Sequence, residues 1–244
     1  MRVAAVVPTW CEAPQIGGLV GACAREVDEV VVADAASPDG TAEAAARAGA
    51  RVVQGRKGRG PQLNEGARAA RADALVFVHA DAGVPPGFGA AIRAALADPR
   101  VVGGNFALRF DHPSAAARLF TLGNDLRRRL FGVYYGDSCI FVRRTVFDAL
   151  GGFDDVPLFE DCAFARKLER AGPTRYVTEP AVAASARRFE GRPLRTLALW
   201  AGLQLAYELG APPRRLARFY ADARAAARPR AQRPPEPGGP GPTS

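Results

Sequence analysis

The sequence predicts an α/β fold built on a mostly parallel central sheet. Three observations carry this. Short apolar runs rich in Val, Leu and Phe recur at residues 3–7, 29–33 and 74–78. Such unbroken runs suit strands buried on both faces. Between them lie spans with the composition and length of helices, and strands alternating with helices at this spacing favour parallel pairing through crossovers. Finally, the 244 residues are 48% hydrophobic, enough for one sizeable core.

Taken in order, strand 3–7 ends at Pro8-Thr9-Trp10-Cys11-Glu12, and a short helix follows over 16–24. Strand 29–33 ends at Asp34. Ser37-Pro38-Asp39-Gly40 is a turn signal, and Thr41 opens a helix over 41–48 with Glu43 in its first turn, where the helix dipole favours an acid. A short strand at 51–54 leads into the basic loop Gly55-Arg56-Lys57-Gly58-Arg59-Gly60-Pro61, and Pro61 suits the first turn of a helix over 62–70. Strand 74–78 and a helix over 88–96 complete a first half, residues 1–99.

The pattern then changes. A second half is expected over 100–190: a long strand 101–110, a helix 115–130, a loop at Tyr134-Tyr135-Gly136-Asp137, a strand 139–142 and a break at Gly151-Gly152-Phe153. An amphipathic helix 160–170 and short strands at 175–178 and 181–184 follow. Closing helices at 194–209 and 214–227 complete one domain over 1–228. The Pro- and Gly-rich stretch 229–244 is expected to be disordered.

The net charge of +8 is concentrated after residue 184, where eleven Arg face four acidic residues. Lysine is nearly absent and Ala, Gly and Pro abound, so the Arg excess reflects composition bias and no nucleic-acid partner is expected. The cysteines 11, 23, 139 and 162 have no C-x-x-C spacing, which argues against a zinc knuckle and fits a reducing cytoplasm. No transmembrane run occurs. The apolar, aromatic helix 194–209 beside the basic helix after it has two readings. One is a core-packed closing helix; the other is a peripheral contact with an anionic membrane surface at the inner face of the cell membrane.

Chemistry concentrates at strand ends. His79 and Asp81 lie just beyond the 74–78 strand, two residues apart and so on one face. In open α/β sheets ligands bind beyond the carboxyl ends of the strands. Asp34 ends its own strand in the same way, and the helix start at Asp39-Gly40-Thr41 favours a phosphate. Each has an ordinary alternative as a turn residue or cap. The loop 56–60 sets three cations among glycines, a pattern that suits pyrophosphate, although basic loops are also common solvated surface. Glu160-Asp161 opens a helix, where the dipole alone favours acids; the functional reading is a general base. His112 reads as surface.

These stretches together resemble family-2 glycosyltransferases of the GT-A fold. The matching stretches are Pro8-Thr9-x-x-Glu12, Asp34-x-x-Ser37-x-Asp39-Gly40-Thr41, Arg59-Gly60-x-Gln62-x-Asn64-x-Gly66, His79-Ala80-Asp81 at the DxD position, and Gly151-Gly152-Phe153 followed by Glu160-Asp161. The His-Ala-Asp variant, Tyr135-Gly136-Asp137 and Ser185-Ala186-Arg187-Arg188-Phe189 look like a small one-domain subgroup, found beside radical-SAM proteins and in arsenosugar-type clusters.

The resemblance implies a metal-dependent, inverting transfer of sugar from a UDP- or GDP-linked donor to a small or lipid acceptor, with residues 1–99 as the nucleotide-binding half and 100–190 as the acceptor half. It places Pro8, Thr9, Glu12, Asp34, Asp39, Arg59, Gln62, His79, Arg187 and Arg188 on the donor. It makes Asp81 the ligand of Mg2+ or Mn2+, puts Gly136, Asp137 and Glu160 beside the acceptor, and makes Asp161 the base. Cys11, Ala35 and His79 depart from the family pattern, His79 by replacing the first Asp of DxD. Two other readings stand beside this one: a non-catalytic nucleotide-sugar-binding module, and a sugar nucleotidyltransferase, which would want a Gly-rich, Arg-containing loop where Pro8 to Glu12 stand.

Overall fold

The structure, a computed structural model, describes residues 1–110, 115–132, 134–184 and 193–227. Its first half is a run of parallel β–α units. β1 (Val3–Thr9), β2 (Glu29–Asp34), β3 (Arg51–Gln54) and β4 (Ala74–Phe77) are connected by α1 (Ala13–Ala24), α2 (Thr41–Arg47) and α3 (Arg59–Ala69). β1 lies between β2 and β4, in register Thr9 to Asp34 and Val6 to Phe77, so the carboxyl ends of all three open on the same edge.

The second half continues the sheet. β5 (Ala82–Gly83), α4 (Phe88–Ala95), β6 (Gly103–Phe110), α5 (Ala115–Phe131), β7 (Phe141–Arg143), α6 (Arg144–Ala149), α7 (Glu160–Ala171) and β8 (Thr174–Ala184) precede α8 (Pro193–Glu208) and α9 (Pro213–Ala227). Among the described residues the sheet has eight strands, in the order β3-β2-β1-β4-β7-β6-β8-β5. β7 runs antiparallel to both β4 and β6, and β5 runs antiparallel to β8; the other pairs are parallel. The fold is the expected α/β one, with helices on both faces of a mostly parallel sheet.

Alternation along the strands supplies two cores. Val3, Ala5 and Val7 face one layer with Ile16, Val20, Phe88 and Ile92, while Ala4 and Val6 face the other with Leu63, Phe77, Phe153 and Phe164. In the second layer Phe77 stands edge-on to Phe153 at 4.7 Å, and Phe153 lies against Phe164 at 4.4 Å. Rings at this separation add to the area they bury.

Four details differ from the sequence reading. α3 begins at Arg59, so Arg59 and Gly60 belong to its first turn and not to the preceding loop. The two short strands expected near the end of the acceptor half are one strand, β8, whose pairing with β6 shifts between Phe106 and Leu108. α6 was not anticipated; it follows β7 with no intervening residue, leaving no punctuation to read. The two-residue β5 is too short to leave a periodic signal.

A third, smaller cluster seats α8 and α9 on the start of α7, through Leu158, Phe159, Cys162, Leu203 and Leu216. Phe159 and Tyr207 stack with ring centroids 4.5 Å apart. Leu205, Leu209 and Phe219 remain exposed. Among the described residues no helix is long and apolar enough to cross a membrane. Residues 229–244, expected to be disordered, lie outside the described residues.

Candidate active site

The turns after β1 and β2 are fastened to each other. Thr9 Oγ1 donates to Asp34 Oδ1 at 2.8 Å, and Ser37 donates its amide to Asp34 Oδ2 at 2.7 Å and its hydroxyl to Oδ1 at 2.6 Å. Cys11, at φ 58°, returns its amide to Ser37 Oγ at 2.9 Å. The Glu12 amide donates to Thr41 Oγ1 at 2.9 Å, and the Ala13 amide to Asp39 Oδ2 at 3.2 Å. The Thr41 hydroxyl bond, helped by the Ala13 and Thr41 amides, holds the Asp39 carboxyl below the usual carboxylate range. Short polar side chains that bond nearby backbone in this way build rigid turns. Asp34 is buried, Asp39 exposed, and Pro8 is a strand residue paired with Ala33.

α3 fastens this corner to the rest of the molecule. Gln62 is buried and donates its amide to the carbonyls of Thr9 and Ala33 at 2.7 and 2.8 Å, tying the ends of β1 and β2 together. Asn64 donates to the Phe153 carbonyl and accepts from the Phe153 amide, each at 2.9 Å. Gly60 and Gly66 are close-approach glycines: an added Cβ would lie 2.4 Å from the Asp154 carbonyl oxygen and 2.4 Å from Val6 Cγ1, respectively. Arg59 Nε meets Glu160 Oε1 at 2.6 Å. The basic loop does not gather its cations on one cradle. Arg56 pairs with Asp155 at 2.5 Å, and Lys57 Nζ sits 3.5 Å above the Trp10 ring.

The third strand end meets α7. The turn after β4 closes through the Ala82 amide and the His79 carbonyl at 3.0 Å, leaving Asp81 exposed. A Cβ added to Gly136 would lie 2.6 Å from His79 Nε2 and 3.2 Å from Asp161 Oδ2, so imidazole and carboxylate crowd one glycine. The Gly136 amide donates to Asp161 Oδ2 at 2.8 Å, and the Cys162 amide to Oδ1 at 2.7 Å. Asp161 is thus a buried carboxylate held by two backbone donors at a helix start.

Glu160 is more deeply buried, and burial reinforced by the charge of Asp161 pushes its carboxyl up to about 7 against the pull of Arg59. Its Oε2 has no hydrogen-bond partner among the described residues. Arg187 and Arg188 lie outside the described residues.

A divalent cation implied by the family pattern fits the donor set in one manner. No group of three or more His, Cys, Asp or Glu residues is placed to cage an ion among the described residues. Asp81 offers one exposed carboxylate, a hard-oxygen donor. Magnesium-like ions are commonly held by one or two carboxylates plus substrate phosphates and water.

Residues 4–151 match the family model "Glycosyl transferase family 2". The chain belongs to glycosyl transferase family 2. The match ends ten residues short of Asp161, so the Glu160-Asp161 stretch is placed by the structure and not by that match. A search of curated proteins finds no match.

Solved structures share the fold. Glucosyl-3-phosphoglycerate synthase from Mycobacterium tuberculosis, crystallised with Mn2+, UDP-glucose and phosphoglyceric acid, is 21% identical with a TM-score of 0.61, over 86% of this chain and 80% of that one. Mannosyl-3-phosphoglycerate synthase from Rubrobacter xylanophilus is 18% identical with a TM-score of 0.56, over 98% and 79%. A mycobacterial protein is 22% identical with a TM-score of 0.55, over 75% of this chain and 65% of its own length.

In this family-2 chain a shallow cleft, open to solvent, adjoins Gly136 between β6, α5, β8 and the loop before β7. Asn105, Arg127, Arg128, Tyr135, Asp137 and Tyr176 line it. Sequence reasoning passed over its arginines. The signal was the run Arg127-Arg128-Arg129, which interrupts an otherwise amphipathic helix just before Tyr134-Tyr135.

Proposed function

We propose that the protein transfers a sugar from a nucleoside-diphosphate donor, UDP- or GDP-linked, to a hydroxyl acceptor, with inversion at the anomeric carbon. The observation that carries this reading is the meeting of His79, from the end of β4, and Asp161, from the start of α7, at Gly136. It joins a donor corner at the carboxyl ends of β1, β2 and β4 to a buried carboxylate on the opposite element. The fold shared with a synthase crystallised with Mn2+ and UDP-glucose supports the donor class.

In this reading the corner built by Thr9, Asp34, Ser37 and Asp39 receives the nucleoside. Gln62 acts beneath it, holding the strand ends in place. Asp81 would hold Mg2+ or Mn2+, which would supply positive charge against the diphosphate. Asp161 takes the proton of the acceptor hydroxyl as that oxygen forms its bond to the anomeric carbon. The bond from that carbon to the phosphate oxygen breaks, and its electron pair leaves with the nucleoside diphosphate. The Gly136 and Cys162 amides fix the orientation of this carboxylate. Arg59 neutralises Glu160 and Asp161 in part, so the paired acids at the start of α7 remain tolerable.

The test is thermal stability of the full chain with UDP or GDP, with and without Mn2+, beside release of nucleoside diphosphate from UDP- and GDP-sugars. Saturating ligand at about 100 times its Kd adds ~2.7 kcal/mol, about 5–10 °C for a domain of this size. That rise is expected only with the metal, and Asp81→Ala should abolish the metal requirement together with most of the rise. A rise of the same size without metal removes Asp81 from the mechanism. Binding with no diphosphate release from any donor, acceptors included, favours the non-catalytic module.

A further inference from the structure

Arg127 and Arg128 are neighbours on α5 and line the same cleft, yet their environments differ. Arg128 is fully engaged: Nε donates to Asn105 Oδ1 at 2.7 Å, Nη2 donates to Thr174 Oγ1 at 2.8 Å, and Glu169 lies 3.2 Å away. It is a structural cation whose charge is matched. Arg127 donates Nη2 to Asn124 Oδ1 at 2.7 Å and Nη1 to Tyr135 Oη at 3.2 Å, both neutral groups. Its guanidinium lies 4.2 Å over the Tyr135 ring. Among the described residues it enters no ion pair, and its Nε is buried with no hydrogen-bond partner.

The Tyr134 hydroxyl is buried beside the same cleft, and burial together with Glu169 pushes the phenol up. Buried donors without partners, such as Arg127 Nε, are costly and uncommon in native proteins. A guanidinium bonded only to neutral groups keeps a positive charge that an oxyanion can match.

Asp137 also lines the cleft, and its charge is felt by Arg59. It follows Gly136, whose amide donates to Asp161 Oδ2 at 2.8 Å. The lining therefore carries both a cation without an ion pair among the described residues and an acid one residue from the contact to Asp161.

We propose that this cleft is the acceptor subsite, and that the acceptor is a small hydroxylated molecule carrying a carboxylate or phosphate that Arg127 binds. Arg127 then selects the acceptor, while Arg128 only shapes the wall. This rests on the glycosyl-transfer reading above for the role of the bound molecule, but not for the binding itself.

Three probes of one carbon skeleton test it: glycerol, D-glycerate and glycerol 3-phosphate, titrated into the full chain by ligand-observed NMR at physiological salt. The charged probes are expected to bind at least ~10-fold tighter than glycerol, and Arg127→Gln should remove about 10- to 100-fold of that advantage, as befits a charge-assisted bond. Arg129→Gln, on an exposed residue of the same helix, should change it less than threefold. The tighter of the two charged probes identifies the carboxylate or the phosphate.

Equal binding of all three probes to the unmodified chain overturns the proposal whether or not any variant folds. So does equal loss in the two variants, which is the mark of diffuse attraction to a basic protein. Failure of UDP with Mn2+ to stabilise the chain, while the anions still bind through Arg127, overturns the transferase reading and leaves the anion site standing.

Discussion

Two short polar turns, one after β2 and one before β7, are held in different ways. The turn after β2 is braced largely from within the first 41 residues, by Thr9, Ser37, Asp39 and Thr41, with Gln62 beneath it. The turn before β7, at Tyr135 to Ser138, has a local side-chain bond, from the Ser138 hydroxyl to the Tyr135 carbonyl at 2.6 Å, and is otherwise braced by distant elements. Asp161 of α7 accepts the Gly136 amide, Gln204 of α8 accepts the Tyr135 hydroxyl, and Asn105 of β6 donates to Ser138 at 3.2 Å. The first turn is thus stiff mainly by local chemistry. The second depends more on the elements packed on it.

The sharpest way to break the acceptor side alone is Asp161→Asn. Loss of the base should lower turnover by about 10²–10⁴-fold with donor and metal binding retained. The substitution has a structural side effect that the backbone bonds predict. Both carboxylate oxygens accept from amides, so an Asn must turn its NH2 towards one of those N–H groups. A modest fall in Tm should therefore accompany the rate loss. Parent-like turnover in a steady-state assay would refute the base assignment.

Gln62→Ala attacks the tie beneath the donor corner. It removes the side-chain donor from the carbonyls of Thr9 and Ala33, at about 1–3 kcal/mol for the two bonds together, since the Thr9 carbonyl keeps the Ala35 amide. With ~2–4 °C per kcal/mol for a chain of this length, calorimetry should show Tm lower by roughly 2–12 °C. Weakened UDP binding with unchanged Tm would instead show that the amide serves the ligand.

The smallest effect is expected at Glu160. Its folded-state carboxyl titrates at about 7, above its ordinary 4.5, so the folded chain holds that proton more tightly than the unfolded chain does. The stabilising contribution is full below pH 4.5 and is lost as pH rises through 7. Glu160→Gln carries no titrating group and keeps an oxygen for Arg59. Denaturant unfolding across that window should show a flatter decline than the parent; an identical slope would mean that Glu160 stays ionised in the folded state.

The same difference between the turns explains what the sequence disclosed. Asp34 bonds Ser37 and Asp39 bonds Thr41 within a few positions, so that spacing was readable, whereas their ties to Thr9, Cys11 and Ala13 across the two turns were not. The strands were readable because burial on both faces leaves continuous apolar runs. Arg127 was not readable, because what distinguishes it from Arg128 is the presence of Asn105, Thr174 and Glu169 around one and not the other. All three come from elsewhere in the chain. Arg59 shows an intermediate case. Its place in a basic, Gly-rich stretch suggested phosphate, whereas its nearest charged neighbour is Glu160, 101 positions away.

α3 also bears on how the molecule can be divided. Gln62 and Gly66 grip β1 and β2, while Arg59, Gly60 and Asn64 grip residues 153–160. A chimera that joined residues 1–99 of this chain to the acceptor half of a relative would keep every donor-corner bond. It would be forced to find new partners for Arg59 and Asn64, and a new backbone to lie against Gly60. The natural seam for exchanging acceptor halves does not run between the halves in sequence. It runs along the far face of α3, and the helix has to travel with the half it is asked to serve.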